Sequence, residues 1–178
     1  MFNSRIILLT KPEFFSGEAD IINALFTAGL PILHLRKPHA TAEQVDALVA
    51  QIDASFRDRI VMHDHDLHSC HTLEEVRKKK QQLTINSILS TTNSYIFLSP
   101  IFDSISKQGY HAAFTDEELR RAHSNGIIDE HVVALGGITP DNAHKALALG
   151  FGGVAILGDI WQSDNPVERL KQYQNRKQ

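Results

Sequence analysis

The chain has 178 residues, enough for one sizeable core and few for two, so a single domain over residues 1–178 is expected. A net charge of −3, 22% charged residues and one short basic run, Lys78-Lys-Lys80, argue against a dedicated nucleic-acid surface. One cysteine, Cys70, leaves no internal disulfide, and Ile6-Ile-Leu-Leu9 is too short to span a bilayer, so the expectation is a cytoplasmic chain without nucleic-acid or membrane partners.

Short β-branched apolar runs alternate with longer amphipathic stretches, the pattern of βα units around a parallel sheet. In chain order the pattern predicts a strand over 5–10 and a helix over 19–28, then a strand over 31–36 and a helix over 41–56. A strand over 59–64 follows, with a short one near 68–71, a helix over 72–82 and a strand over 95–102. The remainder reads as a helix over 115–124, a strand over 132–138, a helix over 140–149, a strand over 153–158 and a helix over 166–175. Thr41, Thr72 and Thr115 each precede Gln or Glu by three residues, as capping boxes do. Gly29 and Gly150 stand where helix C-caps belong.

Six clear strands fall short of the eight in a closed (β/α)₈ barrel, which takes about 250 residues, or roughly 200 at its most compact. The deficit falls near 64–71, where the strand ending at Asp64 is followed almost at once by Ser69-Cys-His71 and a new helix. Parallel neighbours need a crossover of about a dozen residues or more, so 67–71 is not expected to pair beside the 59–64 strand. Residues 81–94 are longer than an ordinary loop, and either extend the helix or add a strand.

Three strand ends carry the strongest chemical signal: Leu98-Ser-Pro-Ile-Phe-Asp-Ser-Ile-Ser-Lys107, Ala134-Leu-Gly-Gly-Ile138 and Gly152-Gly-Val-Ala-Ile-Leu-Gly158. Each is an apolar run beside small hydroxyl or glycine residues, a way for buried parallel strands to deliver backbone amides to a phosphate. Gly136, Gly137, Gly153 and Val154 are the candidate cradle, and Ser104, Ser106 and Lys107 converge hydroxyls and an ammonium on the same kind of anion. The string from His63 to His71 also has the composition of a transition-metal site or of a polar loop.

With Leu33-His-Leu-Arg-Lys37, Ile60-Val-Met-His-Asp64 and Ser69-Cys-His71 added in order, the chain resembles the thiamine phosphate synthase and thiazole tautomerase (TenI-like) group. The resemblance implies an α/β fold of TIM-type (β/α) barrel character with parallel strands, one crossover unit near residues 64–71 being missing. It implies a single phosphate-binding domain whose partners are small phosphorylated heterocycles, with homo-oligomerisation left open.

The same resemblance assigns roles to residues. Arg36 and Lys37 become cationic contacts to pyrophosphate, Asp64 a ligand for Mg²⁺, and Ser69 a pyrophosphate contact. His71 becomes an acid/base group, while Ser104, Ser106 and Lys107 match a Thr-x-Thr-Lys phosphate loop. His34 and His63 stand in the substrate pocket where the group carries glutamine and asparagine. The lysine directly follows the arginine here, and Pro38 occupies its usual place. The implied reaction joins an aminopyrimidine pyrophosphate to a thiazole phosphate with release of pyrophosphate. A thiazole tautomerase and a non-catalytic phosphate-binding module are the alternatives.

Overall fold

The computed structural model describes residues 5–63, 69–85, 95–103 and 111–175. Among them the elements run β1 (Arg5–Leu9), α1 (Glu18–Thr27), β2 (Ile32–Arg36), α2 (Ala42–Ala50) and β3 (Ile60–His63). There follow β4 (Ser69–Cys70), α3 (Leu73–Ile85), β5 (Ile96–Leu98), α4 (Asp116–Ser124) and β6 (Val132–Leu135). The last are α5 (Ala143–Ala148), β7 (Gly153–Ile156), α6 (Gly158–Trp161) and α7 (Pro166–Asn175). This is the α/β class with parallel strands that the alternation of apolar runs predicts. The chain divides into two compact units, Arg5–Leu67 with Ile156–Gln178, and Met1–Ser4 with His68–Ala155.

In the first unit β2 pairs in parallel with both β1 and β3, placing Leu8 level with Leu33 and Leu33 level with Ile60. Strands covered on both faces must be apolar at successive positions, and Ile7, Leu8, Leu33 and Leu35 are each at most 1% exposed. Helix α1 buries Ala19, Ile22, Leu25 and Phe26, the spacing of one helical face. Leu35, Ala19 and Leu48 of α2 form a small cluster with Val45, Val49 and Ile60. The helix expected over 41–56 is divided. Its start is the expected Thr41–Gln44 capping box, but after Gln51 a 3₁₀ turn over Ala54–Arg59 begins, with Asp53 Oδ1 accepting from the Ser55 N–H at 2.8 Å. A side chain that caps its own neighbour offers the backbone a competing start, which apolar spacing alone does not reveal.

Helix α6 has no counterpart in the sequence reading. It carries Trp161, whose indole N–H donates to the Leu9 carbonyl at 2.7 Å, and Asp159, which accepts from Arg169 Nε at 2.7 Å and from the Tyr173 hydroxyl at 2.7 Å. Those bonds fasten α6 to the end of β1 and to α7.

In the second unit the order is β7-β6-β5-β4, all parallel, with Cys70 level with Leu98, Leu98 with Ala134 and Ala134 with Val154. The short strand β4 pairs with β5 and β3 pairs with β2, in keeping with the expectation that the stretch would not pair beside the 59–64 strand. Val132, Val133 and Ala134 are fully buried. β5 stops at Leu98 rather than running to 102, because Pro100 has no N–H for a ladder. The backbone then leans onto β6 through bonds from Ile101 N–H to the Leu135 carbonyl at 3.0 Å and from Phe102 N–H to the Gly136 carbonyl at 3.1 Å.

β6 in turn ends at Leu135, before Gly136 and Gly137 at φ of 94° and 64°. A Cβ on Gly137 would lie 2.2 Å from the Asp103 carbonyl oxygen, so glycine is required here by the close approach of the 99–103 segment. Thr115 and Glu118 form the expected capping box on α4, and Gly29 and Gly150 have the positive φ of C-cap glycines. Helix α3 reaches Ile85, three residues beyond its expected end, and Lys80 ties it to the loop after α4 by donating to the Gly126 carbonyl at 2.8 Å. No helix of the described residues is long and apolar enough to cross a membrane.

Candidate functional site

The carboxyl ends of β1 and β2 are clasped by Thr10. Its Oγ1 accepts from the Arg36 N–H at 2.9 Å and donates to the Arg36 carbonyl at 3.1 Å, while its own N–H bonds to the His34 carbonyl at 3.0 Å. The clasp fixes the Arg36 main chain. Arg36 Nε is buried and has no hydrogen-bond partner among the described residues. A guanidinium donor left buried and unmatched is a strong acceptor-seeking group, and an anionic oxygen satisfies it best.

Lys37 has a different role from the one its position beside Arg36 suggests. Its side chain is fully buried, and Nζ donates to both oxygens of Glu18 at 2.7 and 2.8 Å, to the Glu13 carbonyl at 2.8 Å and to the Lys11 carbonyl at 3.0 Å. Four protein acceptors surround three ammonium protons, which leaves none for a pyrophosphate. The Phe14 ring lies 4.6 Å from the same nitrogen. Burial pushes the Glu18 carboxyl up and the Lys37 ammonium down, working against the attraction between them.

His34 and His63 are brought together across β2 and β3, their rings 4.6 Å apart between centroids and joined by a short bond between His63 Nε2 and His34 Nδ1. His34 is 2% exposed, so only His63, which is partly exposed, can meet a ligand directly. Burial, reinforced by the neighbouring His63, lowers the His34 imidazole to about 3. It is a neutral ring at any ordinary pH.

In the second unit the candidates cluster at the ends of β4 and β5. Residues two apart on a strand share a face, and Ser69 Oγ lies 3.4 Å from His71 Nε2 while Cys70, between them, points into the core at 5% exposure. Burial raises the Cys70 thiol above its ordinary value, in keeping with a packing role. His71 Nδ1 meets the Ser99 carbonyl oxygen at 2.9 Å. Next along, Gly136 and Gly137 lie against Pro100, Phe102 and Asp103. Asp103 Oδ1 accepts from the Ala112 N–H at 2.7 Å, and the Pro100 carbonyl accepts from Ala113 at 3.1 Å, two bonds that span residues 104–110.

Gly153 and Val154, named for the cradle, lie at the amino end of β7, where the strand read over 153–158 begins. They begin the strand, level with Val133 and Ala134, and both are buried; the strand runs on to Ile156, with Gly158 opening α6. Gly152 instead admits the Glu130 carbonyl, which a Cβ would meet at 2.0 Å. Asp64, Ser104, Ser106 and Lys107 lie outside the described residues. The sequence reading missed Thr10, Glu18 and the Ser99 carbonyl. A carboxylate at Glu18 heading a largely apolar helix was the available sign that a buried cation waits elsewhere.

Known proteins of one family are similar to this chain. The family model described as Thiamine monophosphate synthase matches residues 68–160. Thiamine-phosphate synthase of Actinobacillus succinogenes is 35% identical over 97 residues, which cover 54% of this chain and 40% of that protein. The Dictyoglomus turgidum protein of the same name is 27% identical over 192 residues, 92% of this chain and 85% of its own. The match thus spans less than half of the Actinobacillus protein and most of the Dictyoglomus one. Among solved structures, thiamine phosphate pyrophosphorylase from Bacteroides thetaiotaomicron has a TM-score of 0.77 at 34% identity, over 96% of this chain and 95% of that one. The Pyrococcus furiosus thiamine phosphate pyrophosphorylase, at 15% identity and a TM-score of 0.62, shares the fold.

Two outcomes follow from the buried groups of the first unit. Lys37→Met strands the Glu18 carboxylate in the core and should cost about 3–5 kcal/mol in urea unfolding, whereas the double variant Glu18→Leu/Lys37→Met should recover most of that loss. Equal losses in the two variants would contradict the pairing. For His34, the unfolded ring titrates near 6.5 and the folded one near 3, so the unfolded state binds the extra proton in between. The stability it contributes is complete above about pH 6.5 and falls by about 1.4 kcal/mol per unit as pH drops towards 3. Unfolding free energies at pH 7 and pH 5 should show that slope in the wild type and lose this component in His34→Gln; an unchanged slope in the variant would refute the assignment.

Proposed function

The chain belongs to the thiamine monophosphate synthase family, and from that membership together with the Arg36 geometry we propose that it is a thiamine phosphate synthase-type transferase. In this reading an aminopyrimidine pyrophosphate and a thiazole phosphate are its substrates. The pyrophosphate leaves the pyrimidine methylene, and the thiazole nitrogen forms the new bond to that carbon. Charge grows on the departing oxygens, so the protein must hold donors where that charge develops.

The observation that carries the reading is the Arg36 guanidinium, on a main chain fixed by the Thr10 clasp, with Nε buried and without a hydrogen-bond partner among the described residues. We assign it the pyrophosphate. Its planar fork suits two phosphate oxygens. Ser69 is assigned to an anionic substrate oxygen. The amides of Gly136 and Gly137, with Ser104, Ser106 and Lys107, are assigned to the thiazole phosphate. His63 contacts the heterocycle and His34 supports it from the core. Lys37 is a scaffold cation.

Mg²⁺ is the cation expected for this reaction, with Asp64 as its carboxylate, and when bound it would neutralise charge on the leaving pyrophosphate. The described residues contain no group of three or more side chains able to hold a metal. His63, the described residue beside Asp64, is a nitrogen donor already bonded to His34, a poor match for a hard cation. The described donor set does not fit Mg²⁺.

A second reading, a thiazole tautomerase, is favoured by one observation: His71 has Nδ1 on a carbonyl and Nε2 turned to Ser69, the arrangement of a proton-shuttling imidazole.

Purified protein supplied with both phosphorylated halves and Mg²⁺ should form thiamine phosphate and pyrophosphate in equal amounts. Arg36→Ala should lower kcat/KM by about 100-fold, with Arg36→Lys recovering only part. Absence of product above a protein-free control refutes the transferase reading. Aromatisation of thiazole carboxylate phosphate that stops in His71→Ala would establish the tautomerase in its place.

A further inference from the structure

Three hydrogen bonds converge on His71, and together they determine which of its ring nitrogens can work. Parallel pairing sets Cys70 level with Leu98, and the next backbone bond, from the Ser99 N–H to the Cys70 carbonyl, is 2.9 Å. That step brings the Ser99 carbonyl oxygen to 2.9 Å from His71 Nδ1. A carbonyl can only accept, so in the neutral ring Nδ1 carries the hydrogen and Nε2 keeps its lone pair. Nε2 is the atom that faces the Ser69 hydroxyl at 3.4 Å.

The third bond comes from the start of α3, where the cap departs from the other two of its kind. At Thr41 and Thr115 the side chain three residues on closes back onto the cap residue's own N–H, from Gln44 at 2.9 Å and from Glu118 at 2.7 Å. Glu75 has the same position after Thr72, and its N–H donates to Thr72 Oγ1 at 3.2 Å as a capping box requires. Its carboxylate, however, accepts from the N–H of His71, one residue earlier, at 2.7 Å. That bond is the main reason the Glu75 carboxyl lies below its ordinary range. The half-box leaves the helix capped and transfers the carboxylate to the strand end that bears the imidazole.

We propose that Glu75 is a positioning residue for His71: it clamps the His71 backbone to the first turn of α3, so that the Ser99 carbonyl can hold Nδ1–H and Nε2 is presented as the proton-accepting atom beside Ser69. The clamp works through geometry. Without it the residue linking β4 to α3 can rotate, and an imidazole released to water populates both tautomers with Nε2–H in excess. Nε2 would then present a hydrogen in place of a lone pair, the wrong form for accepting a proton from substrate or from Ser69. This inference rests on the reading of Ser69 and His71 as site residues.

The test is ¹⁵N NMR of the histidine rings of the full-length protein above the pH at which they are neutral, with His71 assigned by the His71→Gln spectrum, alongside turnover in the synthase and tautomerase assays. The wild type should give the Nδ1–H signature for His71. Glu75→Gln, whose amide oxygen still accepts, should retain it; Glu75→Ala should shift the ring to a mixture rich in Nε2–H. Whichever activity the wild type has should fall in kcat by roughly tenfold or more in Glu75→Ala, with KM nearly unchanged, and should be restored in Glu75→Gln. A wild-type ring that is not predominantly Nδ1–H, or an Nδ1–H ring that persists in Glu75→Ala, overturns the proposal, as does loss of the signature in Glu75→Gln. If the tautomer responds as expected while the wild type turns over neither substrate set, the functional reading fails and the positioning role stands.

Discussion

Parallel pairing is the constraint from which the chemistry of this chain follows. Strands running the same way bring their carboxyl ends side by side, so polar atoms excluded from the apolar ladder collect where neighbouring strands stop. Each cluster in the two units has that origin. Thr10 clasps Arg36 because β1 and β2 end together, His63 meets His34 across β2 and β3, and Ser99 arrives beside His71 because it directly follows Leu98, the last residue of β5, which is level with Cys70. The turn at Gly136 and Gly137 exists because the segment after β5 crosses the end of β6 too closely for a Cβ.

The sharpest consequence is at two adjacent basic residues. Arg36 and Lys37 look interchangeable as cations, yet the chain sends them to opposite tasks. Lys37 is drawn into the core by Glu18 and two carbonyls, and every proton on it is spoken for. Arg36 has its main chain fixed and a guanidinium nitrogen left buried without an acceptor among the described residues. A buried ion pair is a poor source of stability, since desolvation offsets most of the attraction, but it leaves little freedom in geometry. The pair holds the residue after Arg36 in place, and so limits how far the arginine can move.

Much of the fold was legible because buried parallel strands and capped helices leave strong local marks. Six strands, the capping boxes at Thr41 and Thr115 and the glycines at 29 and 150 could all be read from patterns a few residues long, with the short strand near 68–71 as a candidate seventh. What failed had non-local causes. The strand read over 95–102 was cut short by Pro100, and the helix read over 41–56 was divided by a cap at Asp53. A glycine that lets a carbonyl approach the start of a strand, as Gly152 does, looks in sequence like one that frees an amide at its end. Glu18 lies 19 residues before its lysine, so no window around Lys37 reveals the pair. Glu75 was visible only as a routine cap, since a shift of one residue in its acceptor partner has no signature in sequence.

The division of labour between Arg36 and Lys37 is the claim on which the functional reading leans hardest, and calorimetric titration of inorganic pyrophosphate tests it directly. The double variant Glu18→Leu/Lys37→Met should bind pyrophosphate within about twofold of the wild type, whereas Arg36→Ala should bind it at least about tenfold more weakly, the loss of one charge-assisted anion contact. Loss of binding in the double variant, with Arg36→Ala unaffected, would contradict the account and return the anion to Lys37.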